Sequence, residues 1–142
     1  MNFQYVVNRR GAVAPEALAL TGLEVQRAAQ TFHSTVPGYA PTPLVSLERL
    51  AQKLGVSQLL VKDESKRFGL NAFKALGGSW AIARYLGERL ELAPEQLTFE
   101  ALRTPEARKK LGEITFVTAT DGNHGRGVAW AARQLGHRAV VY

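Results

Sequence analysis

Lys74 stands in a local sequence that favours amine chemistry. Asn71 is a typical helix N-cap residue, and the spacing predicts a helix from Asn71 to about Leu90, with Lys74 as its third helical residue. There the positive end of the helix dipole favours the neutral amine that Schiff-base formation requires. Gly77 and Gly78 leave one side of this helix without bulk, so a planar cofactor or a neighbouring backbone could approach. The alternative is a surface lysine beside glycines that only permit close helix–strand packing.

A second polar loop, Thr118–Gly127, also carries groups that bind or react. Its glycines follow the order G-x-x-G-x-G, which differs from the dinucleotide-binding order G-x-G-x-x-G. They would still expose backbone N–H groups to a carboxylate or a phosphate. Asn123 can donate or accept a hydrogen bond, and Asp121 can act as an acid or a base. Alternatively, Asp121 or Asn123 caps a helix and His124 fills a polar turn.

The elements around these loops predict an α/β fold of parallel-sheet βαβ units. Each loop follows a short apolar run typical of a buried strand, Gln58–Lys62 before the first and Ile114–Thr118 before the second, and Arg138–Tyr142 is a third such run. Because ligands bind at the carboxyl ends of parallel strands, we expect both loops at that edge of the sheet. The apolar spacing predicts helices over 44–54, 71–90 and 128–135, and a polar helix or pair of turns over 97–112.

Two segments precede these elements. The spacing of Leu18, Leu20 and Leu23 predicts a helix over Pro15–Ala29. Gly38–Pro43 reads as a rigid, extended connector, because each proline fixes its own φ and disfavours helix in the residue before it.

The composition excludes several classes of site. The 142 residues are 46% hydrophobic and 21% charged, and no apolar run approaches the roughly 20 residues of a membrane-spanning helix. The absence of cysteine excludes disulfides, thiol nucleophiles and cysteine-ligated metals, and the three histidines show no metal-ligand spacing. We therefore expect a cytoplasmic protein without a membrane partner or a metal site.

The positive charge raises the question of nucleic acid. Eighteen Lys and Arg against twelve Asp and Glu give a net charge of +6. The only run of three basic residues is Arg108–Lys110, and Glu106 and Glu113 flank it. Such a run is typical of a solvated helix face, so we expect no nucleic-acid partner.

Three segments together resemble a known enzyme superfamily. Tyr39–Leu44, Ser65–Gly78 and Thr120–Ala129 are similar to the N-terminal signatures of pyridoxal-phosphate enzymes of the tryptophan-synthase-β fold, which include threonine and serine dehydratases. Within it, Arg67–Asn71 and Asp121 most resemble the ammonia-lyases that act on 2,3-diaminopropionate.

The resemblance implies how the cofactor would be held. Lys74 corresponds to the lysine that binds pyridoxal 5'-phosphate as a Schiff base, and Phe73 lies next to it near the ring. Asn123 corresponds to the residue that hydrogen-bonds the cofactor's 3-hydroxyl.

The resemblance also implies a substrate site. Thr120, Gly122 and His124 stand where the family binds the substrate carboxylate. Asp121 replaces the small neutral residue usual in the dehydratases and would serve as a base for the D-isomer, with Lys74 acting on the L-isomer. A β-ammonium on the substrate would offset the repulsion between Asp121 and the substrate carboxylate. The implied reaction is elimination of ammonia from 2,3-diaminopropionate to give pyruvate and ammonia.

Enzymes of this superfamily run to roughly two or three times this length, at about two domains. The glycine-rich loop that cradles the cofactor phosphate is not found in the sequence. We therefore expect an N-terminal fragment, inactive by itself, in which 1–112 belong to the large cofactor-binding domain and 113–142 begin a smaller α/β domain. The full-length enzyme is expected to be a homodimer. The alternatives are a dehydratase of the same fold, or a non-catalytic basic α/β module that binds nucleic acid or a partner subunit.

Overall fold

The computed structural model describes residues 21–142 together with residues 7, 11, 14, 15 and 17. Its first complete helix is α1, Leu23–Ser34. The helix predicted over Pro15–Ala29 thus lies partly outside the described residues. Phe32, near the end of α1, is only 1% exposed and anchors this helix in the core.

The first strand pair is antiparallel and forms a two-stranded sheet of its own, so the expectation that Gln58–Lys62 joins one parallel sheet with the later strands is wrong, because this run pairs with Leu44–Ser46 instead. Strand β1, Leu44–Ser46, pairs with β2, Leu60–Lys62. Helix α2, Glu48–Leu54, lies in the chain that connects the two strands. The prediction of a helix beginning at Leu44 is therefore wrong by four residues. Apolar spacing could not reveal this, because Leu44 fits the helical pattern equally well and becomes a strand only by pairing with Lys62. Gly55 ends α2 in the left-handed conformation, at φ 67°.

The second half of the chain forms the predicted βαβ unit. Strand β3, Thr115–Thr118, and strand β4, Arg138–Val141, pair in parallel, and helix α5, Asn123–Gln134, connects them. Helix α5 begins five residues before its predicted start. It packs along helix α3, Lys74–Leu90.

The region between α3 and β3 is built from short turns and one helix. Two 3₁₀ turns, Pro94–Gln96 and Ala101–Arg103, precede helix α4, Pro105–Leu111. Pro105 occupies the first helical position, and the Thr104 hydroxyl caps the helix by accepting from the N–H of Ala107 at 3.1 Å. The prediction of a helix or pair of turns over 97–112 is thus confirmed.

The core lies between α1, α3, α5 and the turns before α4. Its fully buried members each contribute about 1.5–3 kcal/mol by leaving water, and the largest are Phe32, Leu86, Leu102 and Leu135. Helix α3, before residue 112, contacts helix α5, after it. The division of the chain into two domains at residue 112 stays a prediction. Within the described part of the chain, no helix combines the length and apolar character needed to cross a bilayer.

Candidate active site

Lys74 is the first residue of helix α3 rather than the third. Phe73 takes the N-cap position, and no side chain caps this helix start. The predicted N-cap, Asn71, instead lies in a turn with φ 56°. The prediction of Asn71 as cap is therefore wrong, because the turn before α3 brings the chain into the helix two residues later.

The loop after β3 leads into α5 through Gly122, which occupies the N-cap position. No side chain caps this helix, so neither Asp121 nor Asn123 has the capping role that was the alternative for them. The backbone N–H of Thr120 donates to the carbonyl of Tyr142 at 2.8 Å, which ties the loop to the end of β4. The amides of the first turn of α5 have no carbonyl within the helix to bind, so they can meet an anion.

Gly127 lets these helix starts approach each other closely. A Cβ on Gly127 would lie 3.0 Å from the Cα of Ala75 and 3.1 Å from the carbonyl carbon of Lys74. A Cβ on Gly78 would meet Val128 at 3.5 Å, an ordinary contact distance, and among the described residues no atom beyond the neighbouring backbone of α3 lies within 4 Å of a Cβ on Gly77. The start of α3, with Lys74, therefore lies against the first turns of α5.

The residues predicted for the site are gathered at these two helix starts. Among them only Thr120 and Gly122 are partly buried, and the Phe73 side chain is 61% exposed. In the part of the chain that the structure describes, none of their side chains forms a hydrogen bond or an ion pair with another residue. The exposed side chains are those of Phe73, Lys74, Asp121, Asn123 and His124.

A buried ion pair lies before α3 and was not predicted. The Arg67 guanidinium, only 5% exposed, donates to Glu64 through Nε at 2.8 Å and through Nη2 at 3.1 Å. This contact lowers the pKa of the Glu64 carboxyl. Thr42 donates to Glu64 through its hydroxyl, and the Lys62 ammonium donates to the Thr42 carbonyl. We call these four residues the Arg67 cluster. In the sequence, only the spacing of Glu64 and Arg67, three residues apart in a polar loop, indicates an ion pair here.

Stacked rings continue from this cluster toward α5. The Phe68 ring stacks on Trp130 of α5, with centroids 4.4 Å apart and planes 26° apart. Phe68 also faces Tyr39, at 6.4 Å between centroids. The loop before Lys74 is thus attached both to the Gly38–Pro43 connector and to α5.

His33 fastens α1 to the first turn of α3. Its Nε2 lies 3.0 Å from the carbonyl oxygen of Leu76 and 3.1 Å from the Ser79 hydroxyl. Burial lowers the pKa of His33 below its ordinary value, so the neutral ring is favoured in the folded protein. His33 therefore orients α3. The described residues contain no cluster of three or more side chains suited to a metal ion.

The donor set at the helix starts fits pyridoxal phosphate. Lys74 offers a primary amine, Asn123 an amide that can donate or accept a hydrogen bond, and Phe73 an exposed ring. The uncapped start of α5 offers N–H groups to an anionic substrate. Among the described residues, no hydrogen bond uses the Lys74 amine, the Asn123 amide or the first N–H groups of α5.

Comparison with known proteins supports pyridoxal phosphate as the cofactor. The family model described as pyridoxal-phosphate dependent enzyme matches residues 35–142. The chain is 50% identical over 142 residues to diaminopropionate ammonia-lyase of Salmonella typhimurium and covers 35% of that protein. It is 58% identical over 114 residues, 80% of the chain, to diaminopropionate ammonia-lyase of Escherichia coli strain K12, covering 28% of it. The chain thus spans about a third of the length of these relatives.

Solved structures show the same similarity. The crystal structure of Escherichia coli diaminopropionate ammonia lyase in apo form superposes with a TM-score of 0.80 at 52% identity, over 94% of this chain and 34% of that one. The same enzyme in complex with an aminoacrylate-PLP azomethine reaction intermediate gives a TM-score of 0.75 at 50% identity, over 94% of this chain and 31% of that one. These similarities confirm the predicted α/β fold, and the chain belongs to the family of pyridoxal-phosphate dependent enzymes.

Proposed function

We propose that this chain carries the lysine-bearing part of the active site of a lyase that eliminates ammonia from 2,3-diaminopropionate. The supporting observation is that Lys74 and the loop Thr120–His124 lie at two uncapped helix starts, which approach each other where Gly127 packs against the backbone of Lys74 and Ala75. Chains 50% identical or more that carry the name diaminopropionate ammonia-lyase support the same substrate.

Lys74 and Asp121 are the proposed catalytic residues. The Lys74 amine holds pyridoxal phosphate and accepts the Cα proton of the L-isomer, and the Asp121 carboxylate accepts that of the D-isomer. When bound, the cofactor delocalises the electron pair that the broken C–H bond leaves on Cα. That pair forms the Cα–Cβ double bond as the β-amino group leaves, protonated, as ammonia. Hydrolysis of the product gives pyruvate and a second ammonia.

The start of α5 is the proposed substrate-binding element. Thr120, Gly122 and His124 surround N–H groups that can receive the substrate carboxylate. Asp121 lies among them, exposed and without a partner in the described chain, so its carboxylate is available to an ammonium group. A diamino acid matches this pairing of an anion site with a carboxylate better than a hydroxyamino acid does.

The cofactor test uses borohydride reduction of the intact protein with pyridoxal phosphate, followed by peptide mapping. We expect the label on Lys74, with Asn123 and Phe73 beside the bound ring. Label on another lysine would contradict the assignment, and no label at all would favour the non-catalytic binding module.

The substrate test compares pyruvate release from D- and L-2,3-diaminopropionate with oxoacid release from L-serine and L-threonine. We expect the diamino acids to be preferred. A preference for the hydroxyamino acids would identify a dehydratase instead.

Amino-acid degradation, a homodimeric assembly and a cytoplasmic location are further parts of this proposal. They are supported by the resemblance to the superfamily alone. Sedimentation analysis of the intact protein and fractionation of cells test the last two.

A further inference from the structure

We propose that Arg67 is a positioning residue for Lys74, because it fixes the path of the six residues that lead to that lysine. The inference rests on the proposed function, in which the Lys74 amine must meet the loop before α5. Arg67 itself touches neither Lys74 nor that loop.

Every nitrogen of the Arg67 guanidinium is used. Nε and Nη2 bind the two oxygens of Glu64, and Nη1 donates to the carbonyl of Ala40 at 2.8 Å. Nη2 also lies 3.3 Å from the Thr42 hydroxyl. One planar group therefore joins the Gly38–Pro43 connector to the loop after β2.

Aromatic rings complete the surroundings of this group. The guanidinium carbon lies 5.2 Å from the ring centroid of Tyr39 and 5.8 Å from that of Phe68. A planar, delocalised cation stacks on rings and binds a carboxylate at two points, and a lysine ammonium does neither. Replacement of Arg67 by lysine would therefore lose these contacts although it keeps the positive charge.

The chain between Arg67 and Lys74 depends on such an anchor. Phe68, Gly69 and Asn71 have φ of 50°, 70° and 56°, in the left-handed region that non-glycine residues rarely adopt. Strained conformations of this kind persist only where the surroundings hold them. Here the Arg67 cluster holds one end, and the stacking of Phe68 on Trp130 fixes the loop to α5.

Loss of the anchor should therefore move Lys74 relative to α5. The amine would then meet the cofactor in fewer productive orientations, although α3 itself stays folded. A misplacement of about 1 Å lowers the rate of such a reaction about a hundredfold.

The experiment compares Arg67→Lys and Arg67→Met with two controls in the intact protein. Leu102→Ala lowers stability in the core, away from the Arg67 cluster. Arg84→Lys alters an exposed ion pair with Glu88 on the same helix as Lys74, at 3.3 Å. For each variant we measure amide hydrogen exchange over residues 68–76 without cofactor, and the rate at which added pyridoxal phosphate is captured on Lys74.

We expect both Arg67 variants to exchange faster over residues 68–76 and to capture pyridoxal phosphate about 10- to 100-fold more slowly. Arg84→Lys should match the parent in both measurements. Leu102→Ala should lose thermal stability but keep the parent's capture rate, which separates positioning from stability.

Either of two results in the Arg67 variants would overturn this inference and leave the proposed function standing. One is unchanged amide hydrogen exchange over residues 68–76, and the other is capture of pyridoxal phosphate at the parent's rate despite a lower melting temperature. If the parent protein captures no pyridoxal phosphate on Lys74, the proposed function fails and this inference fails with it.

Discussion

The two helix starts that meet at the candidate active site are built by different means. Side chains hold the loop before α3, through the Arg67–Glu64 ion pair and the stacking of Phe68 on Trp130. A backbone hydrogen bond holds the loop before α5, from Thr120 to the end of β4, and a Cβ on Gly125, in the first turn of α5, would lie 2.7 Å from the Val141 side chain. Removing a charge should therefore disturb the loop before α3. Adding side-chain volume should disturb the start of α5.

The largest expected effect comes from Asp121→Asn, because backbone contacts hold its loop and leave the side chain free for chemistry. Loss of a general base costs about 10²–10⁴-fold. We expect Asp121→Asn to lose most activity on D-2,3-diaminopropionate and to retain a sizeable share on the L-isomer, for which Lys74 remains. The measurement is pyruvate release from each isomer.

The control for this variant is its stability. Asp121 is exposed and caps no helix, so the free energy of unfolding should stay within about 0.5 kcal/mol of the parent. An equal loss on both isomers, or a stability loss with an unchanged isomer ratio, would contradict the role of Asp121 as a base.

Gly127→Ala tests the sensitivity to added volume. Its new methyl group would lie 3.0 Å from the backbone nitrogen and Cα of Ala75, which cannot move aside as a side chain tip could. Such overpacking costs about 1–3 kcal/mol in unfolding free energy, measured by denaturant titration.

Gly77→Ala is the matched control on α3. Among the described residues, no heavy atom beyond the neighbouring backbone of α3 lies within 4 Å of the added methyl, so relief of the helical glycine should stabilise the protein by up to about 1 kcal/mol. If both variants changed stability in the same direction, close approach of the two helix starts would not be what Gly127 provides.

The smallest expected effect is the dependence of stability on pH between about 7 and 5. Burial lowers the pKa of His33 from 6.5, so below pH 6.5 the unfolded chain binds a proton that the folded protein resists. Stability from His33 is thus fully present above pH 6.5 and decreases as the pH falls, by at most about 1.4 kcal/mol per pH unit. Unfolding titrations at several pH values measure this slope.

His33→Gln should reduce that slope. Some slope remains, since burial lowers the pKa of His137 as well. Glu64 affects stability at lower pH. Its contact with Arg67 lowers the pKa of the Glu64 carboxyl from 4.5, so the stability that this contact provides is lost only as the pH falls below 4.5. An unchanged slope between pH 7 and 5 in His33→Gln would show that His33 stays exposed to protons in the folded state.

Much of the fold could be predicted because its signals are local. The βαβ unit follows from apolar runs separated by a glycine-rich loop, and β3, α5 and β4 lie where such runs indicate, apart from the earlier start of α5 at Asn123. The stop of α2 at Gly55 and the cap at Thr104 are equally local.

The parts that could not be predicted depend on residues distant in sequence. Strand β1 exists through pairing with β2, where Leu44 lies opposite Lys62, eighteen positions along the chain. The turn that displaces the N-cap of α3 from Asn71 to Phe73 follows Arg67, which reaches back 27 residues to Ala40. Local propensity favours Asn71 as a cap, and tertiary contacts override it.

The stacking of Phe68 on Trp130 also gives the molecule an optical reporter. The sequence has two tryptophans, and Trp80 instead lies beside Phe32, at 5.8 Å between ring centroids. Indole emission responds to the surroundings of the ring, so the emission of Trp130 in a Trp80→Phe background follows the lysine loop without an attached dye. Rapid mixing of that protein with pyridoxal phosphate would show whether the surroundings of Trp130 change when the cofactor binds.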